Sequence, residues 1–408
     1  MTATAGKRVA RLTVAVGFIA AAAWALAGER RILMGPYVNS VTMDSAKVMW
    51  VTGPDAPAGS VACAVGRAEA RLSGFDGRKE VLHTAVLKGL KPSTAYEYRI
   101  VDAGRAGAFL TAPRPGDSKK PLKFIVYGDT RSHPDRHRSV SEAMAREKDV
   151  SFAVVSGDLV SRGGVWRAWE GEFFAPGQPY LGKMAVWPVR GNHEGNAVFY
   201  RQIFDLPGNE RWYSFDYGNL HFIVLDCYVK GDDREAQLEW LKRDLKGTSA
   251  EWILACYHVP TFNVGGHASK WGAKDVLPIL EERGVDVVIA GHSHLYERFV
   301  PIGPAGRKPL IHIVTGGGGA PNADAEESSL LEGGTGHGVL HYCLFEIQGN
   351  RLTMIVKKPD GTELDLMTLV KKNGIYQDSI MKKSVETGRA REIIGNPHGA
   401  DKVGTIPR

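Results

Sequence analysis

Five short apolar segments in this sequence each run out into a residue able to ligate a metal ion. Tyr127-Gly128 leads into Asp129, Ser156-Gly157 into Asp158, and Val189-Arg190-Gly191 into Asn192-His193-Glu194. Cys256-Tyr257 leads into His258, and Ala290-Gly291 into His292-Ser293-His294. The segments are short, apolar and rich in β-branched and aromatic residues, so they read as buried strands. Helical segments alternate with them, one around residues 140–146 and one in which Leu238, Leu241 and Leu245 recur at helical spacing. That alternation predicts an α/β layered domain whose ligand crevice lies beyond the carboxyl ends of the strands. Glycine precedes the polar residue in four of the five segments, where it lets the backbone turn sharply and approach a ligand closely.

Taken singly, these residues say little. Asp or Asn after a strand is ordinarily a turn or cap residue, and a lone His is ordinarily a satisfied polar group. Five at one predicted edge go beyond what capping produces. Carboxylate, amide oxygen and imidazole together suit Zn, Mn or Fe.

A chain of 408 residues exceeds the usual size of one hydrophobic core, which favours two domains. Residues 30–112 read as an all-β unit. Val48-Met49-Trp50-Val51 and Val61-Ala62-Cys63-Ala64-Val65 are short strands between Gly, Pro and Asp clusters, and Tyr96 and Tyr98 share a strand face. Residues 113–121 read as a linker, 122–370 as the layered α/β domain, and 371–408 as a polar tail, loosely docked or disordered.

The formal charge of +6 is unevenly placed. Lys7, Arg8 and Arg11 supply three positive charges, and residues 371–408 carry eight Lys or Arg against four Asp or Glu, so the body is near 6 − 3 − 4 = −1. No clustered basic face for a nucleic-acid backbone is evident. The basic stretch precedes an apolar run over residues 12–27 that ends in Ala-Leu-Ala, the pattern of a signal peptide over residues 1–27. The chain is therefore expected to be exported, periplasmic or secreted, with membrane attachment only if that segment stays uncleaved. Four cysteines (Cys63, Cys227, Cys256, Cys343) allow three disulfide connectivities, while Cys227 and Cys256 at strand ends also suit buried free thiols.

The ordered set of motifs resembles the calcineurin-like metallophosphoesterases. Gly291-His292-Ser293-His294-Leu295-Tyr296-Glu297-Arg298, Gly191-Asn192-His193-Glu194 and His258-Val259-Pro260-Thr261-Phe262 resemble the purple acid phosphatase branch. The resemblance covers roughly residues 122–366 and extends to the N-terminal β-unit, which would be fibronectin type III-like. It implies a metallophosphoesterase sandwich of two mixed β-sheets flanked by helices, preceded by a smaller all-β sandwich domain. It further implies two metal ions, Fe, Zn or Mn, bridged by Asp158. One would also be held by Asp129 and His294, the other by Asn192, His258 and His292. His193 would be no ligand but the general acid beside the leaving oxygen. Two such cations acidify a bridging water, neutralise phosphoryl oxygens and align in-line attack.

The pattern breaks at the first metal. Arg131 stands where many superfamily members place a metal-binding His, and Ser161 stands where purple acid phosphatases place a Tyr ligand. A guanidinium stays protonated and cannot ligate. His137 or His133 would complete the shell, water would fill it, or only one metal is held tightly; a His repair is the favoured expectation. Arg131 then becomes a candidate phosphate clamp. His267, on the loop after the His258 strand, is a candidate for the substrate mouth. The run Gly316-Gly317-Gly318-Gly319 lacks the Lys-Ser or Lys-Thr of a phosphate loop and reads as a close backbone approach near the site.

The expected activity is hydrolysis of a small-molecule phosphate ester by metal-bound hydroxide with His193 as general acid, acid-phosphatase-like and directed at monoesters. The alternatives are a phosphodiesterase or nucleotide hydrolase and, from another class, a non-catalytic binding protein on the same fold.

Overall fold

The computed structural model describes residues 32–377 and 384–395, so the signal-peptide reading and the last residues of the tail lie outside the described part. Residues 32–110 form seven strands: β1 (Ile32–Asn39), β2 (Ser45–Thr52), β3 (Ser60–Cys63), β4 (Gly66–Gly74), β5 (Val81–Lys88), β6 (Ala95–Ile100) and β7 (Ala106–Leu110). They pair in the order β1-β2-β5-β4-β3-β6-β7. Alternation in β6 turns Tyr96, Tyr98 and Ile100 inward and leaves the residues between them exposed, as a half-buried strand requires.

The expected break between this unit and the α/β domain is bridged by a sheet. The second half of β1 runs parallel to β10 (Ala185–Pro188), with Val38 opposite Ala185. Tyr37 and Val38 are fully buried there, and the Tyr37 hydroxyl donates to Ile203 O at 2.5 Å. An apolar strand with unpaired N–H and C=O groups is stabilised by completing a neighbour's ladder, so two sandwiches fuse along one edge. The result is a fourteen-stranded sheet that runs through both units.

Within the larger unit, β8 (Leu122–Tyr127), β9 (Val150–Val155) and β10 lie parallel, with β18 (Tyr342–Gln348), β19 (Arg351–Lys357) and β20 (Glu363–Lys372) added antiparallel beside β8. The second sheet has the order β11 (Tyr213–Tyr217), β12 (Leu220–Val224), β13 (Trp252–Tyr257), β14 (Val287–Ala290), β17 (Ile311–Thr315) and β15 (Tyr296–Arg298). Aromatic rings join the two sheets. Phe124 of β8 stacks between Phe152 and Phe345, at 4.9 Å from each, and meets Phe222 of β12 edge-on at 6.0 Å. Burying one such ring contributes on the order of 2–3 kcal/mol.

The chain past residue 370 is docked as far as it is described. Lys371, which ends up only 3% exposed, directs Nζ at Asp286 Oδ2 (2.9 Å), while Lys308 Nζ and the Tyr376 hydroxyl reach Asp286 Oδ1 at 2.6 and 2.9 Å. A fully buried carboxylate is tolerated because these partners and the Ile253 N–H satisfy it. Farther on, β22 (Val385–Glu386) pairs with β16 (Ile302–Gly303), and the helix Thr387–Gly395 buries Ala390. Within the polar segment that suggested a loose tail, Lys371 turns its charge inward while Lys372 stays exposed. The four cysteines are unpaired, with Cys227, Cys256 and Cys343 buried. No helix among the described residues is long and apolar enough to cross a membrane.

Candidate metal centre

The carboxyl ends of β8, β9, β10, β13 and β14 deliver the polar residues to one place. The turns after β8 and β9 are stitched together, Asp129 N donating to Gly157 O (2.9 Å) and Thr130 N to Asp158 O (3.1 Å). Asp129, Asp158 and His292 all have left-handed backbone, with φ of 57°, 53° and 70°. That conformation is strained for residues with a Cβ and gathers at functional sites. Gly191 is required by contact: a Cβ there would stand 2.2 Å from Asp158 Oδ1. The glycine run makes the expected close approach, since Gly318 N donates to Gly128 O (2.8 Å) and Ala320 N to Asp129 O (2.8 Å).

Two groups of ligand atoms result, sharing Asp158. His258 Nδ1 lies 2.8 Å from Ser156 O, an acceptor, so in the neutral ring that nitrogen carries the hydrogen and Nε2 is a bare lone pair. Yet Nε2 faces two further acceptors, Asn192 Oδ1 at 3.1 Å and Asp158 Oδ1 at 3.4 Å. His292 Nδ1 also stands 3.1 Å from Asn192 Oδ1. Ligands 2.0–2.2 Å from one ion stand roughly 3.0–3.5 Å from one another, so these separations are those of a shared cation. In the second group, ligand atoms of Asp129, Asp158 and His294 lie within 4.8 Å of one another. Asp129 Oδ1 is buried there without a hydrogen-bond partner, 3.5 Å from His294 Nε2. An orphaned buried carboxylate oxygen is costly unless a cation answers it. Both groups therefore fit a metal.

The electrostatics agree. Burial opposes ionisation of Asp158, but His258 beside it outweighs burial and holds the carboxyl below its usual range. Burial likewise lowers His258, but Asp158 reverses this and raises it to about 9. Burial brings His292 down to about 3 and His294 to about 4, His258 adding to the first shift and Arg131 to the second. A cation bound among these groups would take the place of the proton that Asp158 otherwise draws onto His258.

His193 lies outside both groups. Its Nδ1 donates to Ser161 O (2.7 Å), its backbone N–H donates to Asp158 Oδ1 (2.9 Å), and Nε2 is left 3.8 Å from Asp158 Oδ2. Its side chain is 30% exposed, open to a ligand above the carboxylate. His267 reaches the mouth, its ring 5.1 Å from that of His292 and 5.5 Å from that of His294. Glu297 holds that loop by accepting from Val264 N (3.0 Å) and Gly265 N (2.7 Å). Arg131 lies inside the group of Asp129, Asp158 and His294, the site of the first metal, with Nε 3.3 Å from Asp158 Oδ2 and Nη2 3.3 Å from His294 Nε2.

The favoured repair of the first shell is absent. His137 is fully buried, with Nδ1 2.8 Å from Glu172 O and Nε2 3.1 Å from the Tyr127 hydroxyl, so neither nitrogen is left for a metal. His133 is the residue before the helix Pro134–Met144 and does not join the clustered ligand atoms among the described residues. Ser161, in the position of the expected Tyr, is bound by Glu172 through both its hydroxyl and its N–H, at 2.6 Å each.

Sequence reasoning passed over two residues. Glu194 is fully buried and accepts from the N–H groups of Gly191 (2.6 Å), Leu159 (2.8 Å) and Asp158 (3.0 Å), so it pins the β9 turn to the β10 turn. Its place beside Asn192 and His193 was the available signal. Tyr228 brings its hydroxyl to 3.4 Å from Asn192 Oδ1, with the Arg190 guanidinium 5.3 Å over its ring, and no local motif marked it.

Residues 122–296 match the family model of calcineurin-like phosphoesterases. The chain is 27% identical over 298 residues to purple acid phosphatase 23 of Arabidopsis thaliana, covering 59% of this chain and 62% of that protein. It is 28% identical over 296 residues to purple acid phosphatase 18 of the same plant, covering 64% and 65%. The chain thus spans less than two thirds of the length of these curated relatives. Among solved structures, purple acid phosphatase PPD1 from yellow lupin seeds superposes with a TM-score of 0.69 at 19% identity, over 83% of this chain and 74% of that one.

Proposed function

We propose that this chain, a member of the calcineurin-like phosphoesterase family on its purple acid phosphatase-like branch, is an exported metal-dependent hydrolase of small phosphate monoesters. The convergence of His258 Nε2, Asn192 Oδ1 and Asp158 Oδ1, which cannot satisfy one another while the imidazole is neutral, carries this reading. Asp129, Asp158 and His294 hold one metal ion, and Asp158, Asn192, His258 and His292 hold the other. When bound, the two ions polarise the phosphoryl oxygens and acidify water.

The rest is done by the protein. Ser161 O fixes the hydrogen on His193 Nδ1 and turns Nε2 toward the site, where it is placed to give a proton to the departing alkoxide. His267, with its ring 5.1 Å from that of His292, walls the mouth. The seven-stranded unit is read as fibronectin type III-like from its seven short antiparallel strands, in which β4 pairs with both β5 and β3. Export rests on Lys7, Arg8 and Arg11 ahead of the apolar run over residues 12–27.

Metal-replete protein tested on an aryl phosphate monoester and the matching diester decides the matter. Faster cleavage of the monoester supports the reading, and faster cleavage of the diester moves it to the phosphodiesterases. If neither ester is cleaved and His193→Ala changes nothing, a binding protein on this fold remains.

A further inference from the structure

Arg131 occupies the first metal group without being able to ligate. Its side chain is 16% exposed and is held by three contacts. Nε donates to Asp158 Oδ2 (3.3 Å), Nη1 to Ser132 Oγ (3.2 Å), and Nη2 to His294 Nε2 (3.3 Å). The last contact matters most. His294 Nδ1 gives its hydrogen to Pro321 O (2.8 Å), so Nε2 has one lone pair to offer, and the guanidinium is using it. Asp129 Oδ1, 3.5 Å from the same nitrogen, stays without a partner. The guanidinium therefore answers two of the three ligand groups, while Asp129, whose Oδ2 accepts from His292 N (2.9 Å), keeps Oδ1 unanswered.

We propose that Arg131 and the first metal ion compete for His294 Nε2 and Asp158 Oδ2, and that phosphate decides the competition by drawing the guanidinium out of the site. One lone pair cannot serve an N–H and a metal at once. A divalent ion at Asp129, Asp158 and His294 also repels a guanidinium at this range. Phosphoryl oxygens offer that guanidinium a two-pronged acceptor. The ion and the phosphate thus favour one another, and by linkage each raises the other's affinity by the same factor. On the Asn192, His258 and His292 side the ligand atoms face one another, so that ion binds without phosphate. Arg131 acts as a positioning residue that delays completion of the two-metal centre until a phosphate group is present. The inference rests on the reading of the site as a metal centre.

The test is equilibrium dialysis of the full, metal-stripped chain against Mn²⁺, with and without inorganic phosphate. The native chain is expected to hold one ion tightly and a second at least about tenfold more weakly, the gap a charged hydrogen bond sustains. His294→Ala should abolish the weaker ion, which assigns it. Arg131→Ala should tighten the weaker ion about tenfold in the absence of phosphate and shrink the effect of phosphate. Arg131→Met, which keeps the stem's volume, should do the same, with retention of the tight ion reporting an intact fold. The proposal is overturned if the native chain binds two ions equally without phosphate. It is also overturned if the Arg131 variants that keep the tight ion leave the second unchanged or weaken it. Because the readout is binding, a chain with this pattern that cleaves no ester would sink the hydrolase reading alone.

Discussion

His258 Nε2 stands 3.1 Å from Asn192 Oδ1, although the only hydrogen of that imidazole in its neutral form is committed on the far side of the ring to Ser156 O. The two atoms repel unless a cation or a proton lies between them. At neutral pH and in the presence of metal, the cation is the better answer, because it also serves Asp158 Oδ1 and His292 Nδ1.

His258→Ala is therefore expected to lower metal content by one ion per chain and to weaken its binding by more than the ten- to hundredfold typical of outer-shell changes. Metal analysis after dialysis checks this. Unchanged stoichiometry would mean that Asn192 and His292 face each other for another reason.

His193→Ala should leave metal content unchanged and lower kcat by about 10²- to 10⁴-fold, the usual worth of a positioned acid. The loss should be largest for alkyl phosphates, whose leaving group needs a proton, and smallest for nitrophenyl phosphate, whose leaving group does not. Equal losses across a leaving-group series would assign His193 to phosphate binding instead.

The strands at the site were legible because they are plain apolar runs. Phe124 through Tyr127, Phe152 through Val155 and Trp252 through Ala255 are uninterrupted, and each is followed within one to two residues by the turn that carries its candidate ligand. The route of β1 into the larger sheet was not legible, since a half-buried strand reads the same whichever neighbour completes its ladder. His137 misled for a related reason. Its spacing after Asp129 was right for a ligand, but only the fold places Tyr127 and Glu172 against its two nitrogens. Lys371 looked solvated because sequence alone did not reveal the buried Asp286 it meets.

Glu194→Gln tests the pin between the β9 and β10 turns. The native carboxylate only accepts, and backbone N–H groups of Gly191, Asp158 and Leu159 all point at it. A glutamine must turn its NH₂ toward at least one of those donors. The expected cost is about 1–3 kcal/mol in stability, with metal affinity reduced about ten- to hundredfold. Denaturant unfolding and metal titration read the two effects. A variant as stable as the native chain would show that the turns hold each other without Glu194.

Asp286→Ala leaves two buried or half-buried ammonium groups, Lys371 and Lys308, without their shared carboxylate. Removing one partner of a buried pair typically costs about 3–5 kcal/mol. The loss should also loosen the chain after residue 370, seen as faster cleavage there in limited proteolysis. A companion Lys371→Met, which removes a charge and keeps the packing on Trp252, should cost less than Asp286→Ala. If both variants melt with the native chain, the ion cluster contributes nothing to docking.

His221, paired by two carboxylates, contributes to the pH dependence of stability. Its Nδ1 lies 2.8 Å from Asp216 Oδ1 and its Nε2 lies 2.9 Å from Asp244 Oδ2. Burial favours the neutral ring, but the two hydrogen bonds and their charges outweigh burial and raise it from 6.5 to about 9. The folded state thus holds this proton more tightly than the unfolded chain does. Its contribution is complete below about pH 6.5 and is lost as pH rises through about 9. The shift corresponds to at most about 3 kcal/mol, and to less in practice because Asp216 is 56% exposed and its charge is screened by water. Unfolding free energy should therefore fall between pH 6.5 and 9 in the native chain, and His221→Asn should flatten that slope. An unchanged slope in the variant would place the pH dependence elsewhere.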